Sequence, residues 1–378
     1  VELDADITLE EPLHYDSHLP LRIEGNGYTI TGPDVAIDDP ELPGDRYGEP
    51  SGGDAFVLMG GGNVHMNDLT IADASGNGIY MEIPADRDGL VRVTFEEVHL
   101  TDNGLSGLWI EEQANEAGPI AGQASIFLGF DESSVTGNGF AGEAGQEAYA
   151  DWDGVRVNEG GEGSIRLRTT DSHFDGNAAE GIELDEKGDG SVRADLEEST
   201  FNGNGEQPQF SDDLEDGFDI DEADAGGILV VMEDVEASNN FDEGIDLDEE
   251  GHGDVILRFE DVTANGNNDE NIKVSEDAEL EDAEPPFDGG GDIRFRFEEV
   301  TANGSNDDGI QLEEFGPGDL RGTIEESEVT GNGDDGLDLT QAATGEGLVK
   351  IDEDTDVSGN ADDDVNPDGV TVVTEGDN

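Results

Sequence analysis

Hydrophobic and polar residues alternate along most of this chain in short segments, and one segment recurs with little change. Its form is an acid, a glycine, an aliphatic residue, a variable residue, a second aliphatic residue and a second acid. Clear copies occupy residues 180–185, 216–221, 243–248, 308–313 and 335–339, and looser copies occupy 77–81, 106–111, 153–158 and 270–274. Alternation with a period of two predicts a β-strand in each copy, with both aliphatic side chains on one face.

A second alternating segment follows many copies of the first. Examples occupy residues 164–177, 191–204, 254–266, 292–304 and 319–332. They end in Asn-Gly or Gly-Asn dipeptides, which favour tight turns, and no part of the chain shows a helical period. Asn177 and Asn204 are 27 positions apart, as are Asn240 and Asn267, so the chain is built from a repeat of about 27 residues.

A repeat of this length, with short strands and tight turns, predicts one coil of a β-solenoid whose parallel strands stack about 4.8 Å apart. Over residues 55–375 the sequence resembles the right-handed parallel β-helix class typified by pectate lyases. The resemblance implies an all-β, single-domain solenoid of about nine or ten coils at 55–378, preceded by an N-terminal cap and entry strands at 1–54. It also implies a ladder of stacked asparagines at the turns, formed by Asn138, Asn177, Asn204, Asn240 and Asn267.

The composition is extremely acidic, with 98 Asp and Glu against 15 Lys and Arg and a formal net charge of −83. Charge of this size destabilises a compact state by self-repulsion unless counterions screen it. We therefore interpret the chain as a folded protein of a halophile, adapted to concentrated salt. The same charge argues against binding to nucleic acid or directly to anionic membranes, because both require clustered Lys and Arg.

Disulfides and thiolate metal sites are excluded because the chain has no cysteine. No apolar run is long enough to predict a membrane span, and no signal peptide is present, although a leader removed before Val1 would leave the same start. We expect a soluble protein that is secreted or displayed at the cell surface. The pattern does not specify its oligomeric state.

The variable residue of the first segment should point away from the core, as should the acid two positions later. Aligning the copies places six carboxylates in two outward columns between Arg156 and Lys273. They are Glu183, Asp185, Asp219, Asp221, Asp246 and Asp248. Carboxylates about 5 Å apart repel by roughly 3 kcal/mol at an effective dielectric constant of 20, and bound Ca²⁺ would relieve that repulsion. The alternative is a solvated acidic face that binds no specific ion.

A cation at each end of this carboxylate grid resembles the Ca²⁺-dependent lyases of the pectate-lyase class. The resemblance implies that Asp246 and Asp248 hold Ca²⁺, which neutralises a uronate carboxylate. It further implies that Lys273 removes the adjacent C5 proton and that Arg156 binds the substrate. Alternatively, Lys273 only forms an ion pair with Asp246. The Gly-His-Gly tripeptide around His252 matches a short motif of polygalacturonases, but the surrounding aspartate motifs do not match.

Insertions interrupt the repeat at residues 37–53, 113–122, 140–152, 206–214 and 278–289. Loops added to a rigid repeat commonly carry its function. The third and fourth contain Tyr149, Trp152 and Phe210, aromatic rings able to stack on sugars, and the outward column offers Trp109 for the same purpose. The alternative is that the rings of these loops only fix them to the body of the solenoid.

Arginines of the second segment also align from coil to coil, beside acidic columns. They are Arg166, Arg193, Arg294 and Arg321. We expect cross-strand ion pairs from them and no catalytic role. Taken together, the sequence favours a protein that binds polysaccharide through Ca²⁺ on an acidic strand face. A polyuronate lyase, and a surface protein or adhesin without catalysis, are the alternatives.

Overall fold

The structure is a computed structural model that describes residues 1–35, 50–112, 122–140, 152–205, 215–223, 225–276, 290–342 and 345–375. Within these residues the chain forms strands, numbered β1 to β29 in chain order, and no α-helix. The strands form two sheets, which we call the smaller sheet and the larger sheet, and all their pairings are parallel. No helix that could span a membrane occurs in the described part of the chain.

The smaller sheet has twelve strands, most of them formed by the acid-Gly-aliphatic segment. They are β2 (Leu13–Tyr15), β4 (Phe56–Leu58), β6 (Ile79–Ile83), β8 (Leu108–Glu112), β11 (Val155–Glu159), β13 (Ile182–Glu186), β15 (Phe218–Glu222), β17 (Ile245–Glu249), β19 (Ile272–Glu276), β22 (Ile310–Glu314), β25 (Leu337–Gln341) and β28 (Val365–Asp368).

The larger sheet has seventeen strands, formed by the second alternating segment of each coil. They are β1 (Ile7–Thr8), β3 (Leu21–Thr31), β5 (Val64–Ala72), β7 (Asp88–Thr101), β9 (Gln123–Asp131), β10 (Ser134–Thr136), β12 (Ile165–Thr170), β14 (Val192–Glu197), β16 (Gly227–Glu236), β18 (Asp254–Asn265), β20 (Ile293–Glu298), β21 (Thr301–Asn303), β23 (Leu320–Glu325), β24 (Glu328–Thr330), β26 (Gly347–Asp352), β27 (Asp356–Ser358) and β29 (Val370–Glu375).

Equivalent positions of successive coils lie opposite one another. Ile182 of β13 pairs with Phe218 of β15, and Leu184 pairs with Ile220. These inward residues belong to one continuous hydrophobic core that runs from Leu3 to the last coils. A slip of one residue would turn every one of them outward, so the alternation itself fixes the register.

Asparagines at the turns form the ladder that the sequence predicted. Asn177 Oδ1 accepts hydrogen bonds from the backbone N–H and the side-chain amide of Asn138, each at 3.1 Å. Asn204 accepts the same pair of bonds from Asn177, and the series continues through Asn240 to Asn267. All five side chains are buried, so the ladder satisfies turn amides that would otherwise lack partners.

The turn from the smaller to the larger sheet is built from stacked glycines. A Cβ atom at Gly190 would lie 1.6 Å from the carbonyl oxygen of Gly163, and one at Gly318 would lie 1.5 Å from that of Gly291. No side chain fits at such distances, so the coils stack closely here only because these positions are glycine.

The predicted fold, an all-β right-handed parallel β-helix, is confirmed by the uninterrupted parallel pairing, since crossovers between parallel strands are right-handed almost without exception. The sequence predicted nine or ten coils, whereas the smaller sheet counts twelve strands in the described residues. The additional strands are β2, β4 and β28, which lack the acid-Gly pair. The boundary between a cap at 1–54 and the coils at 55–378 stays a prediction.

Candidate functional site

The outward columns of the smaller sheet are aligned as the sequence predicted. Arg156, Glu183, Asp219, Asp246 and Lys273 occupy equivalent positions on five successive strands, β11 to β19. The second column places Asp185, Asp221 and Asp248 beside them, between Asn158 and Ser275. The structure therefore brings the six predicted carboxylates together as a grid with a cation at each end of its first column.

Three of the six carboxylates of this grid are buried and the other three are half-buried. Asp185 is 2% exposed, Glu183 5% and Asp246 7%. Burial penalises the charged form of a carboxyl group, and neighbouring carboxylates add repulsion. For these two reasons, burial first, the pKa values of Asp219 and Asp246 are raised well above their ordinary range.

Arg156 neutralises the first end of the grid. Its Nη1 lies 2.5 Å from Glu183 Oε2 and its Nη2 lies 3.2 Å from Asp185 Oδ2. The guanidinium also lies over the ring of Trp109, 5.4 Å from its centroid. A depression of about 550 Å³ opens beside these residues, with Asp185 and Lys187 in its lining. Arg156 is placed to meet a ligand in that depression, although its present bonds are to the protein's own acids.

Lys273 neutralises the other end. Its Nζ lies 2.7 Å from Asp246 Oδ2 and 3.0 Å from Glu243 Oε1. Burial lowers the pKa of Lys273, but the attraction of Asp246, Glu243 and Asp248 outweighs it, so the pKa is raised above its ordinary value. In this arrangement Lys273 is an ion-paired ammonium. Its predicted role as a base would require both partners to be neutralised or displaced.

Acids that precede the glycine of the segment complete the cluster, and the sequence analysis missed them. Carboxylate oxygens of Asp216, Asp219 and Asp246 all lie within 4.8 Å of one another, and a second group joins Asp216 to Asp242 and Glu243. Burial and the charge of Glu243 raise the pKa of Asp216 well above its ordinary range. The signal was present, because every clear copy of the segment begins with an acid. We call Asp216, Asp219 and Asp246 the aspartate triad.

The predicted second-column ligands lie alongside the triad. Burial and the charge of Asp185 raise the pKa of Asp221 to about 6. Asp248 accepts a hydrogen bond from the Ser275 hydroxyl at 2.5 Å, and burial raises its pKa. These two carboxyls lie two residues along β15 and β17 from Asp219 and Asp246, on the same face of the sheet.

Two of the aromatic residues that were predicted to stack on sugars, Trp109 and Trp152, pack against each other. Trp109 is 1% exposed and packs against Trp152, with the ring centroids 5.6 Å apart. With Val57 and Tyr80 it forms a small hydrophobic cluster on the outer side of the smaller sheet, next to Arg156. Tyr149 and Phe210 lie outside the described residues, so their predicted role stays a prediction.

A column of buried glutamates, also missed from the sequence, follows the last acid of the segment. It contains Glu112, Glu159, Glu186, Glu222, Glu249, Glu276 and Glu314, and each is at most 1% exposed. Successive members lie opposite one another from Glu159 to Glu314, and Gln341 ends the column. We call this column the glutamate ladder. Alternation places the position inward, but an inward acid is hard to recognise in a chain so rich in acids.

The glutamate ladder supports the glycine turns from inside. Glu159 accepts backbone N–H bonds from Gly161 at 3.0 Å and Gly163 at 3.2 Å, and Glu249 does the same for its own turn. Burial first, and carboxyl neighbours second, raise the pKa of Glu186 to about 9 and that of Glu222 to about 10. The ladder carboxyls therefore hold protons more tightly than free glutamates do, which is a structural role.

Comparisons with known proteins add one similarity. The chain resembles a solved structure of the A-module of the mannuronan C-5 epimerase AlgE4 of Azotobacter vinelandii, with a TM-score of 0.40 and 10% sequence identity over 94% of this chain and 88% of that chain. No family model and no curated protein matches the sequence. The fold of the chain is therefore assigned from its own strand pairing. It is a parallel β-helix with a buried acidic cluster on the outer side of its smaller sheet.

Proposed function

We propose that the aspartate triad binds a divalent cation, Ca²⁺ in the first place, and that the protein holds acidic polysaccharide through it. The observation that carries this proposal is the close approach of three carboxylates, buried Asp216 and Asp246 and half-buried Asp219, within 4.8 Å of one another. Asp246 Oδ1 is buried and has no hydrogen-bond partner among the described residues, so the cluster contains an oxygen that a cation would satisfy.

Electrostatics support a cation at this position. Two carboxylates 4.8 Å apart repel by about 3 kcal/mol at an effective dielectric constant of 20. Protonation or a bound cation would relieve that repulsion. Ca²⁺ accepts six to eight oxygens in flexible geometry, and Asp221 and Asp248 add carboxylates beside the triad. The residues present therefore fit Ca²⁺ by charge and by donor type.

Bound Ca²⁺ would also decide which polysaccharide this face accepts. Without a cation the grid repels any polyanion. With Ca²⁺ in place, its remaining coordination positions are able to take carboxylates of a polyuronate chain. Arg156 lies at the end of the same column, beside the 550 Å³ depression, and is placed to pair with a further carboxylate. Binding of polyuronate to this face of the smaller sheet should therefore depend on Ca²⁺.

Co-sedimentation with polygalacturonate and with alginate, in Ca²⁺ and in EDTA, tests the proposal. We expect Ca²⁺ to increase binding, and that increase to be lost in Asp219→Asn. Because that variant removes a repelling charge, it should melt at a higher temperature than the wild type in EDTA while gaining nothing from Ca²⁺. The control Glu233→Gln removes one exposed charge from the larger sheet and should behave like the wild type. Equal binding of polyuronate by Asp219→Asn and wild type in Ca²⁺ would contradict the proposal.

The polyuronate lyase predicted as an alternative depends on Lys273. A Ca²⁺-dependent rise in ultraviolet absorbance on pectate or alginate, abolished in Lys273→Ala, would establish it. The ion pairs of Lys273 with Asp246 and Glu243 favour binding without proton removal by Lys273, because they hold its amine in the protonated form.

We also propose that the protein works outside the cell or at the cell surface of a halophile. Its net charge of −83 supports this proposal.

A further inference from the structure

The cations of this acidic protein are concentrated on one face. The outer side of the larger sheet carries two adjacent columns that contain ten of the fifteen Lys and Arg residues. They are Arg22, Arg92, Arg166, Arg168, Arg193, Arg258, Arg294, Arg296, Arg321 and Lys350. We call these two columns the arginine face. The only acid within them, among the residues that the structure describes, is Asp195.

A depression of about 540 Å³ lies on the arginine face, over β18, β20, β23 and β26. Five cations line it, namely Arg258, Arg294, Arg296, Arg321 and Lys350, and no carboxylate does. In a chain with 98 acidic residues, a recess whose charged lining residues are all cations differs clearly from the rest of the surface. Its charge fits an anionic ligand.

The floor of this depression is apolar. Gly322 lies under the depression, and a Cβ atom at Gly322 would meet the ring of Phe295 at 2.5 Å. The ring of Phe295 lies across the neighbouring strand because position 322 has no side chain. Leu348, 37% exposed, and Ile256 stand in the same column as the arginines. Apolar patches between cations are suited to the C–H faces of sugar rings, whose carboxylates project to the sides.

The guanidinium groups retain free donors. Nη2 of Arg296 lies 2.9 Å from carboxylate oxygens of both Glu298 and Glu325. Arg321 likewise contacts Asp319 and Glu346 through Nη2 alone. Within the described residues, Nε and Nη1 of both arginines have no partner, and Arg258 forms no ion pair at all. These donors are available for a carboxylate, which a guanidinium binds through two parallel hydrogen bonds.

We propose that the arginine face binds a uronate oligosaccharide directly, without a metal ion, at the depression around Arg258, Arg296 and Lys350. A polyuronate carries one carboxylate on every sugar, and the arginine columns offer cations at successive strands about 4.8 Å apart. The long-range repulsion from the remaining acids is screened by salt, whereas contact pairs between guanidinium and carboxylate persist. A second copy of the chain suits this face less well, because it would bring a further net charge of −83. This site is separate from the aspartate triad and does not depend on it.

The test is the affinity of a fluorescently labelled oligogalacturonate in EDTA, at the lowest salt at which circular dichroism shows a folded protein. EDTA removes any contribution of Ca²⁺ on the smaller sheet. We expect binding that is weakened about tenfold in Arg258→Gln and about a hundredfold in Arg258→Gln/Arg296→Gln, since each guanidinium–carboxylate contact is worth about one factor of ten. A methyl-esterified oligogalacturonate, which has lost its charge, should not bind.

Two control variants separate this proposal from the previous one. Arg193→Gln removes a cation of the same face that does not line the depression, and should leave the affinity within about twofold of the wild type. Asp219→Asn should leave binding in EDTA intact while it removes the additional binding that Ca²⁺ brings. Binding seen only with Ca²⁺, or binding in EDTA that Arg258→Gln/Arg296→Gln retains, would overturn the proposal. So would sedimentation showing that these arginines instead mediate self-association while the oligosaccharide fails to bind.

Discussion

The glutamate ladder should make this protein less stable as the pH rises, and Glu222 allows the effect to be isolated. Its pKa is about 10 in the folded protein against an ordinary value of 4.5. The folded state therefore keeps a proton that the unfolded chain releases between these values. By linkage, the stabilisation is fully present below pH 4.5 and is lost progressively as the pH rises towards 10.

The size of this loss of stability follows from counting one retained proton for Glu222. Each pH unit in this window costs about 1.4 kcal/mol of unfolding free energy for one such group, or about 4 kcal/mol between pH 5 and pH 8. Burial and the neighbouring Glu159 also raise the pKa values of Glu112 and Glu186 to about 9, so both act in the same direction. A typical domain has only about 5–15 kcal/mol of stability, so mild alkali should unfold this protein.

The decisive variant is Glu222→Gln, because Gln341 already occupies the last position of the column. Gln341 accepts a bond from the Leu320 N–H at 2.7 Å and donates one to the Gly318 carbonyl at 3.2 Å. A glutamine thus fits the turn without a titrating proton. In urea denaturation at fixed salt from pH 5 to pH 8, Glu222→Gln should lose about 1.4 kcal/mol less stability per pH unit than the wild type.

A matched control is Glu197→Gln, which removes an exposed carboxylate of the larger sheet and should leave the pH slope unchanged. The reasoning would be refuted by a wild-type stability that is flat or rises between pH 5 and pH 8. It would also be refuted if Glu222→Gln and Glu197→Gln had the same pH slope.

Three further predictions concern the fold. Lowering the salt from molar to millimolar should lower the melting temperature by at least several degrees, because screening offsets the charge of −83, and an unchanged melting temperature would contradict this. Gly190→Ala should lower the free energy of unfolding by about 3 kcal/mol in urea denaturation, since its Cβ would lie 1.6 Å from a carbonyl oxygen. The control Gly160→Ala, where a Cβ meets open space, should lower it by less than about 1 kcal/mol, and equal losses would refute the stacking argument. Asn177→Ala should lower the free energy of unfolding by about 3 kcal/mol, because it leaves buried turn groups unpaired. The control Asn306→Ala removes one exposed hydrogen bond and should lower it by less than about 1 kcal/mol; an equally small loss in Asn177→Ala would count against the ladder.

Much of the fold was predictable because the alternation of the repeat encodes register directly. The pairing of Ile182 with Phe218, the outward column through Asp219 and the stacking of Asn177 on Asn204 all follow from aligning copies of the segment. Strands β2, β4 and β28 were not counted because they are not among the copies of the segment that could be aligned.

The candidate site was predicted less completely, for a physical reason. Alternation shows that Asp246 points away from the core, but it does not show that the outer side of the sheet is itself enclosed, as the 7% exposure of Asp246 demonstrates. Asp216 was overlooked because it precedes the strand, and its approach to Asp219 depends on how the turn folds back. Lys273 was correctly paired with Asp246, but its second partner, Glu243, comes from the turn of the preceding coil.

The arginines illustrate the same limit. Cross-strand ion pairs were predicted for Arg294 and Arg321, and the structure shows them, with Asp254 and Glu346. What the alignment did not indicate is the depression between these columns, which Gly322 helps to line. A recess depends on side-chain volumes in four neighbouring coils, which the pattern of polar and apolar positions does not specify.

The central claim is that the aspartate triad holds a divalent cation, and a crystal structure with Ca²⁺ tests it most directly. Data collected near a wavelength where calcium scatters anomalously, from crystals grown with Ca²⁺ and from crystals grown in EDTA, would locate the ion. We expect an anomalous peak about 2.3–2.6 Å from carboxylate oxygens of Asp219 and Asp246, absent in EDTA. Carboxyls of the triad that hydrogen-bond to one another in both crystals, with no peak between them, would contradict the claim and show that protons alone relieve the repulsion.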